Sequence, residues 1–398
     1  MKINYDDGKL TVYLAGRIDA NNAAEIESEI SAGLAKFPGE IPTFDALGLE
    51  YISSAGLRVL LKFRKKFAKS LDVIDVSNDV YDIFSVTGFT ELLNVRKKLR
   101  EISIDGCPVI GGGLSSTVYR LDAETIVKVF DKNAATLAAV EHDRNISREV
   151  FLHDIPTAIA YDVVRVGEHF GLVYEMIDAD TVAKTISKHP ERLEELSLKM
   201  AHLLKKLHTT EFEAGKFPKM KDIMRSFMQL TFSKGIITAE DKEAICGLID
   251  RIPDRKTFVH LDYHPNNVML ADDKLVIIDV GDSGLGHPMI DLLSSYSHCM
   301  FLPKFLEQVD NGAHAHHMGI NAQTLAAMWN IMLPEYFGTT DKETLKGYEE
   351  VIIDYLPLTV LPGLCLGPIS DEKRAQLAAP IVERFRKVIP TLHPIESI

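Results

Sequence analysis

Hydrophobic and polar positions alternate along the first hundred residues in two rhythms. "KLTVYLAGRI" (9–18) changes sides at every step, as a half-buried strand does. "DANNAAEIESEISAGLAKF" (19–37) places its apolar residues three and four apart behind capping Asp and Asn residues, which predicts an amphipathic helix. "IPTFDALGLEYI" (41–52) predicts a strand, "SSAGLRVLLKFRKKFAKS" (53–70) a helix opening at a serine pair, and "LDVIDVS" (71–77) another strand. "NDVYDIFSVTGF" (78–89) predicts a short helix stopped by Gly88. Strand and helix in alternation predict a small α/β domain over residues 1–100. After the basic segment "VRKKLREI" (95–102) the rhythm changes. "ISIDGCPVIGGGLSSTVYRLDAETIVKVF" (102–130) joins short strands at glycine-rich turns, the pattern of an antiparallel sheet. Beyond "HFGLVYEMI" (169–177) the pattern is mostly helical. "FVHLDYHPNNVMLADDKLVIIDVGDSG" (258–284) interrupts it.

Composition narrows the class. With 398 residues, 46% hydrophobic and 25% charged, the chain suits a well-cored protein of two or more domains. "MKINYDDGKL" has no basic-then-apolar export signal. The most apolar stretch, "YLPLTVLPGLCLGPI" (355–369), is broken by prolines and shorter than the ~20 residues a membrane span needs. Cys107, Cys246, Cys299 and Cys365 lie far apart, without metal or redox spacing, and are expected to be reduced thiols. A cytoplasmic protein with no membrane partner is the expectation. Residues 1–100 hold 14 Lys+Arg and 14 Asp+Glu, so the net charge of −13 belongs to the remainder. That acidic remainder argues against nucleic acid as a partner and tolerates a cationic small molecule.

Candidate chemistry gathers in the segment 258–284. "NNVML" and "KLVIIDV" flank the polar turn "ADDK", which predicts a β-hairpin. Pairing Leu270 with Leu275 sets Asn267 beside Ile278, next to Asp279, so an amide oxygen and a carboxylate meet at the open end. Such an oxygen pair suits Mg²⁺. Asp262, in the loop just upstream, could accept a proton from a hydroxyl. Upstream, "VIGGGLSSTVYRL" offers a turn whose backbone can lie against phosphate, through Gly111, Gly112, Gly113, Ser115 and Ser116. Lys128 interrupts the apolar strand "ETIVKVF", and Glu149 in "ISREVFLHD" is expected to hold it as an ion pair. A competing reading makes His260, Asp262 and His264 a metal site on an extended strand; Pro265 and the hairpin favour a loop instead.

Taken in order, these residues resemble the aminoglycoside phosphotransferase and choline kinase group, within the protein-kinase-like fold. The resemblance runs from about residue 102 through the glycine turn, Lys128, Glu149, "LVYEMI", "LLKKLH", "HLDYHPNN" and "IIDVGDSGLGHPMIDL". It implies an α+β domain at 101–398, with a small antiparallel β lobe (about 102–177) and a mainly helical lobe (about 178–398). It implies ATP and Mg²⁺ as cofactors and transfer of the γ-phosphoryl group to a hydroxyl of a small molecule. Asp262 would be the catalytic base, Asn267 and Asp279 the Mg²⁺ ligands, and Lys128 the contact to the α/β-phosphates, fixed by Glu149. Backbone at Glu175, Met176 and Ile177 would meet the adenine, while His260, His264 and Asp291 would brace the catalytic loop. Leu261 stands where a glycine is common, and "IDVGD" where the protein kinases carry Asp-Phe-Gly.

"GRIDANNAAEIE", "YISSAGLRVLL" and "SNDVYDIFSVTGFTELLNV", in that order, resemble the STAS domain of anti-sigma-factor antagonists. The resemblance implies a protein partner for this domain and a phosphorylatable serine at Ser54, with Ser53 where an aspartate is common. A phosphate there would lie at the positive end of a helix dipole. The plain alternative is that one serine of the pair is only the helix N-cap. Beside the small-molecule kinase stand two alternatives: a signalling kinase acting on a protein serine such as Ser54, and an idle kinase fold serving as a scaffold.

Overall fold

The computed structural model describes the chain except residues 1, 7, 68–69, 114, 132–134, 214, 310–318, 367–369, 390–391 and 393–398. It divides into two compact units, Met1–Ile102 and Ser103–Ile398.

The first unit is a five-stranded sheet in the order β1 (Lys2–Asp6), β2 (Lys9–Ile18), β3 (Thr43–Ile52), β4 (Asp72–Val76) and β5 (Asn94–Lys97). β1 and β2 form an antiparallel hairpin and the other neighbours are parallel. Parallel neighbours need a crossover; α1 (Ala23–Leu34) supplies one between β2 and β3, and α2 (Ser54–Phe67) another between β3 and β4. Leu10, Val12 and Leu14 of β2 are buried at alternate positions, and Leu57, Leu60 and Phe63 of α2 close over the sheet. α2 sits so close that a Cβ at Gly56 would come within 2.7 Å of side-chain carbons of both Ile18 and Ile52. β1 and β5 lie at the two sheet edges, where charged residues and exposure hide the alternation.

In the second unit, the strands Ala160–Val166, His169–Glu175, Thr125–Phe130, Ser116–Arg120 and Val109–Gly112 hydrogen-bond in that order, each antiparallel to the next. The helix Leu137–Leu152 packs against the strands Ala160–Val166 and His169–Glu175 and buries Val140, Ile146 and Val150, the last two joining the helical core beyond. Beyond Glu175 the described chain is mainly helical, with short strand pairs at 258–285, and its core runs from Val182 and Leu204 through Met220, Leu248 and Trp329 to Phe385. The hairpin pairs Val268–Ala271 with Lys274–Ile277, Leu270 facing Leu275 as the sequence pattern requires. Its two-residue loop has Asp272 and Asp273 both at positive φ (46° and 62°), the backbone of a tight hairpin turn. No described helix is long and apolar enough to cross a membrane; the stretch 355–369 contributes the helix Pro357–Leu366 instead.

Candidate active site

The hairpin fixes one side of the site. The backbone N–H of Ile278 donates to the Asn267 carbonyl at 3.0 Å, so the two strand ends stay in register up to Asp279. Asp279 itself has φ +61°, a conformation that costs a non-glycine residue about 1–2 kcal/mol. Its carboxylate turns to meet Lys128 Nζ at 2.5 Å.

The loop between Val259 and Val268 forms the other side. Asp291, fully buried, accepts N–H groups of His260 (2.9 Å) and Leu261 (2.6 Å). His208 Nε2 lies 3.0 Å from the same carboxylate, and its Nδ1 lies 2.6 Å from the Tyr336 hydroxyl. The His260 ring accepts the Asp262 N–H at 3.3 Å and lies 3.1 Å from the Ile278 carbonyl, tying loop to hairpin. Leu261 adopts φ +74°, the left-handed conformation in which a glycine would be unstrained. Its amide bond to Asp291 and its packing against the helical core hold it there.

Asp262 projects from this braced loop. The Asn267 side-chain amide donates to both the Asp262 carbonyl (3.0 Å) and its Oδ2 (2.9 Å), which leaves the amide oxygen of Asn267 as the group to offer a cation. His264 Nε2 lies 3.3 Å from Oδ2, and His298 Nε2 lies 3.6 Å from Oδ1. Burial alone would raise the Asp262 carboxyl; the neighbouring imidazoles, led by His264, outweigh it and hold the group well below the usual carboxylate range. Asp262 is therefore ionised throughout the physiological range.

Lys128 departs from expectation. Glu149 does not reach it; Glu149 pairs with Lys216 at 3.2 Å. Asp143, six residues earlier on the helix Leu137–Leu152, takes that place with Oδ2 3.7 Å from Lys128 Nζ. The reason is helical geometry. Asp143 shares the inward face with Val140, Ser147 and Val150, all buried, whereas Glu149 lies to the side of that face. Tyr174 on the neighbouring strand donates to Asp143 Oδ1 at 3.0 Å. Gly281 lets the hairpin end approach, since a Cβ there would sit 2.6 Å from the Asp143 carboxyl carbon. Burial would lower the Lys128 ammonium, but Asp279 and Asp143 more than compensate and its titration rises. Burial also raises the Asp143 carboxyl, as it does that of Asp282, which faces Asp279 and Asp143.

The other expected nucleotide contacts fall as follows. Gly113 N–H donates to the Ser116 carbonyl (2.9 Å) across the glycine turn; Gly111, Gly112, Gly113 and Ser115 are exposed, and Ser116 is buried. At the strand end after Glu175, the Glu175 amide donates to Ile159 and the Met176 amide to Glu124; among the described residues the Ile177 amide donates to none. The extended three-residue metal reading fails for His260, whose ring is engaged inside the loop; the group of potential ligands is Asp262, His264 and His298. His298 carried no sequence signal, because it comes from a helix thirty-four residues further on. In the first unit, Ser53 is the cap: its Oγ accepts the Ala55 N–H (3.2 Å) and its carbonyl the Leu57 N–H (2.9 Å). Ser54 is exposed in the first turn of α2.

Residues 106–328 match the model of the phosphotransferase enzyme family, and residues 1–102 match the STAS domain. A proposed anti-sigma factor antagonist of Bordetella bronchiseptica, BtrV, is 36% identical over 101 residues, covering 24% of this chain and 85% of that protein. Among solved structures, the streptomycin–ATP–APH(2″)-IIa ternary complex superposes with TM-score 0.45 and 15% identity, covering 79% of this chain and 99% of that one. A choline/ethanolamine kinase family protein from Mesorhizobium loti gives TM-score 0.46 and 14% identity, covering 71% and 91%. The fold class is thus an α/β STAS domain followed by an α+β, two-lobed kinase-like domain.

Proposed function

The chain belongs to the phosphotransferase enzyme family, and from that premise we propose that it moves the γ-phosphoryl group of ATP, with Mg²⁺, to a hydroxyl of a small molecule. One observation carries the reading. A braced, ionised carboxylate (Asp262) and a hairpin carboxylate (Asp279) stand on either side of Asn267, and Asp279 is already neutralised by a buried-strand lysine. Phosphoryl transfer needs those parts: a proton acceptor, oxygen ligands for a hard cation, and a cation for the phosphates. Asp262 is the base. Asn267 and Asp279 would hold Mg²⁺, which would supply charge neutralisation on the phosphate oxygens. Their donor set fits it, an amide oxygen whose nitrogen is tied down and a half-exposed carboxylate.

Lys128 serves the α/β-phosphates and Asp143, in place of Glu149, steadies it. The glycine turn Gly111–Gly113 with Ser115 covers the phosphates, and the Ile177 amide is the free donor for the adenine edge. His260, His264 and Asp291 keep the loop in its strained shape, so catalysis rests on positioning and charge stabilisation.

A second reading concerns the STAS domain. Because Ser53 already caps α2, Ser54 has an exposed hydroxyl at a helix N-terminus. That favours Ser54 as a phosphorylation site and the domain as a regulatory or docking module, in keeping with its anti-sigma factor antagonist relative. One experiment addresses both readings. The full chain is incubated with γ-labelled ATP, Mg²⁺ and a panel of hydroxyl compounds, beside Asp262→Asn and Ser54→Ala. Label should pass to a small molecule and fall roughly 10²–10⁴-fold in Asp262→Asn. Label that accumulates only on the chain, and is absent from Ser54→Ala, would replace the first reading with the signalling one.

A further inference from the structure

The brace behind the catalytic loop does not end at Asp291. His208, buried on the helix Leu193–Thr209, has Nε2 3.0 Å from the Asp291 carboxylate, whose two oxygens already accept the backbone N–H groups of His260 and Leu261. Nε2 is therefore the donor of that pair. On the other side of the ring, Nδ1 lies 2.6 Å from the hydroxyl of Tyr336, and the two rings meet edge-on with centroids 5.5 Å apart. A hydroxyl both donates and accepts, so Tyr336 satisfies Nδ1 in either charge state of the ring. Among the described residues no other group bonds to Nδ1. Tyr336 belongs to the last turn of the helix Ala322–Phe337, beyond residue 328, where the phosphotransferase match stops.

We infer that Tyr336 is a positioning residue for Asp262, acting through His208 and Asp291. The inference rests on the reading of Asp262 as the base. Leu261, immediately before Asp262, is held at φ +74° by its amide bond to Asp291, so the aim of the Asp262 carboxylate depends on where Asp291 stands. Two of the three hydrogen bonds to the Asp291 carboxylate come from the loop being held, and His208 supplies the one from outside it. An imidazole bonded at both nitrogens has one orientation. Bonded at Nε2 alone, with Nδ1 buried and unpaired, it carries the penalty of an unsatisfied polar atom and turns to relieve it. Losing the Tyr336 hydroxyl thus loosens His208, then Asp291, then the strained backbone that presents Asp262.

The plainer role, packing of one helix on another, is separable from this one. The helices Leu193–Thr209 and Ala322–Phe337 pack together and bury Leu204, Leu207, Met328 and Met332 in one core. They are joined again by His202 and Glu335, with Nε2 2.6 Å from Oε1. Phe337, next to Tyr336, stacks on Tyr348 with ring centroids 4.1 Å apart. Trimming Phe337 therefore disturbs the packing of this helix and leaves the Tyr336 hydroxyl in place.

The test uses the full chain and Mg²⁺-ATP with water as acceptor, comparing wild type, Asp262→Asn, Tyr336→Phe and Phe337→Leu. Amide hydrogen exchange, read by mass spectrometry, accompanies the kinetics. Tyr336→Phe removes one oxygen and keeps the ring. We expect it to lower kcat about 10-fold, short of the loss in Asp262→Asn, with KM for ATP within about twofold, because the nucleotide contacts lie on other elements. Exchange of the segment 259–264 should quicken about 10-fold, while that of the hairpin 268–277 stays as in wild type. Phe337→Leu should keep kcat and loop exchange within about twofold of wild type. A wild-type kcat in Tyr336→Phe overturns the inference, as does exchange quickened throughout the chain or an equal loss in Phe337→Leu; each would make Tyr336 a packing residue only. A kcat unmoved in Asp262→Asn removes the base and the inference with it. A wild type that turns over no ATP, with water or with the hydroxyl panel, sinks the phosphotransferase reading itself.

Discussion

At the scale of single residues, the distinction between Asp143 and Glu149 is the sharpest result. Both are carboxylates on one helix, and the order of glycine turn, lysine and helix acid was legible in the sequence. Which acid was not. The inward face is set by packing on the sheet, and only once Val140, Ser147 and Val150 are seen to share it does Asp143 become the partner of Lys128. Asp143→Asn should therefore weaken nucleotide binding about 10-fold by loosening Lys128, while Glu149→Gln should leave it within about twofold; tenfold corresponds to about 1.4 kcal/mol, in the range for a partly buried charged hydrogen bond. Equilibrium titration with ATP checks this, and the reverse order of effects would return Glu149 to the site. Asp262, Asn267 and Asp279 were legible for a different reason. They lie within eighteen residues of one another, so a hairpin register alone brings them together. His298 and Asp143 needed tertiary structure.

At the scale of elements, the hairpin and the α/β alternation of residues 1–100 were readable because each has a single period and explicit turn residues. The sheet edges β1 and β5 were not, since an exposed edge strand has no buried face to mark it. The helix Asp371–Val388 is anchored by an element-to-element contact that spacing could not show either. Arg386 Nε and a terminal guanidinium nitrogen donate to Asp241 at 2.7 and 2.6 Å, and Asp241 completes a capping box with Thr238 at the start of the helix Ala239–Arg251. The guanidinium hydrogen bond, acting against burial, pulls the Asp241 carboxyl down to about 2. A depressed folded-state value means stability that is present above the unfolded carboxylate range and is lost as pH falls through it toward 2. Asp241→Asn should accordingly cost about 2 kcal/mol at neutral pH and much less near pH 2. Denaturant unfolding at both pH values measures it; an equal cost at the two would show that the ion pair does not carry the linkage.

At the scale of the whole molecule, two units have separate hydrophobic cores, one from Leu10 to Leu93 and one from Ile146 to Phe385. Almost all of the net charge of −13 lies in the sequence of the second, since residues 1–100 are neutral. The phosphotransferase match stops at residue 328, and four described helices follow within Ala322–Val388, the first straddling that limit. Their pattern of buried Leu, Ile and Trp was visible as helix and core, whereas their packing onto 220–252 was not. The central claim for the chain is that its second unit binds ATP through a cation held by Asn267 and Asp279. Calorimetry of ATP binding to the full chain, with and without Mg²⁺, for wild type and Asp279→Ala, tests it most directly. Saturable binding that requires Mg²⁺ and weakens at least about 100-fold in Asp279→Ala is the predicted result, a loss of about 2.7 kcal/mol. A folded wild-type protein that binds no ATP, or an Asp279→Ala variant that binds it as tightly, would contradict the account.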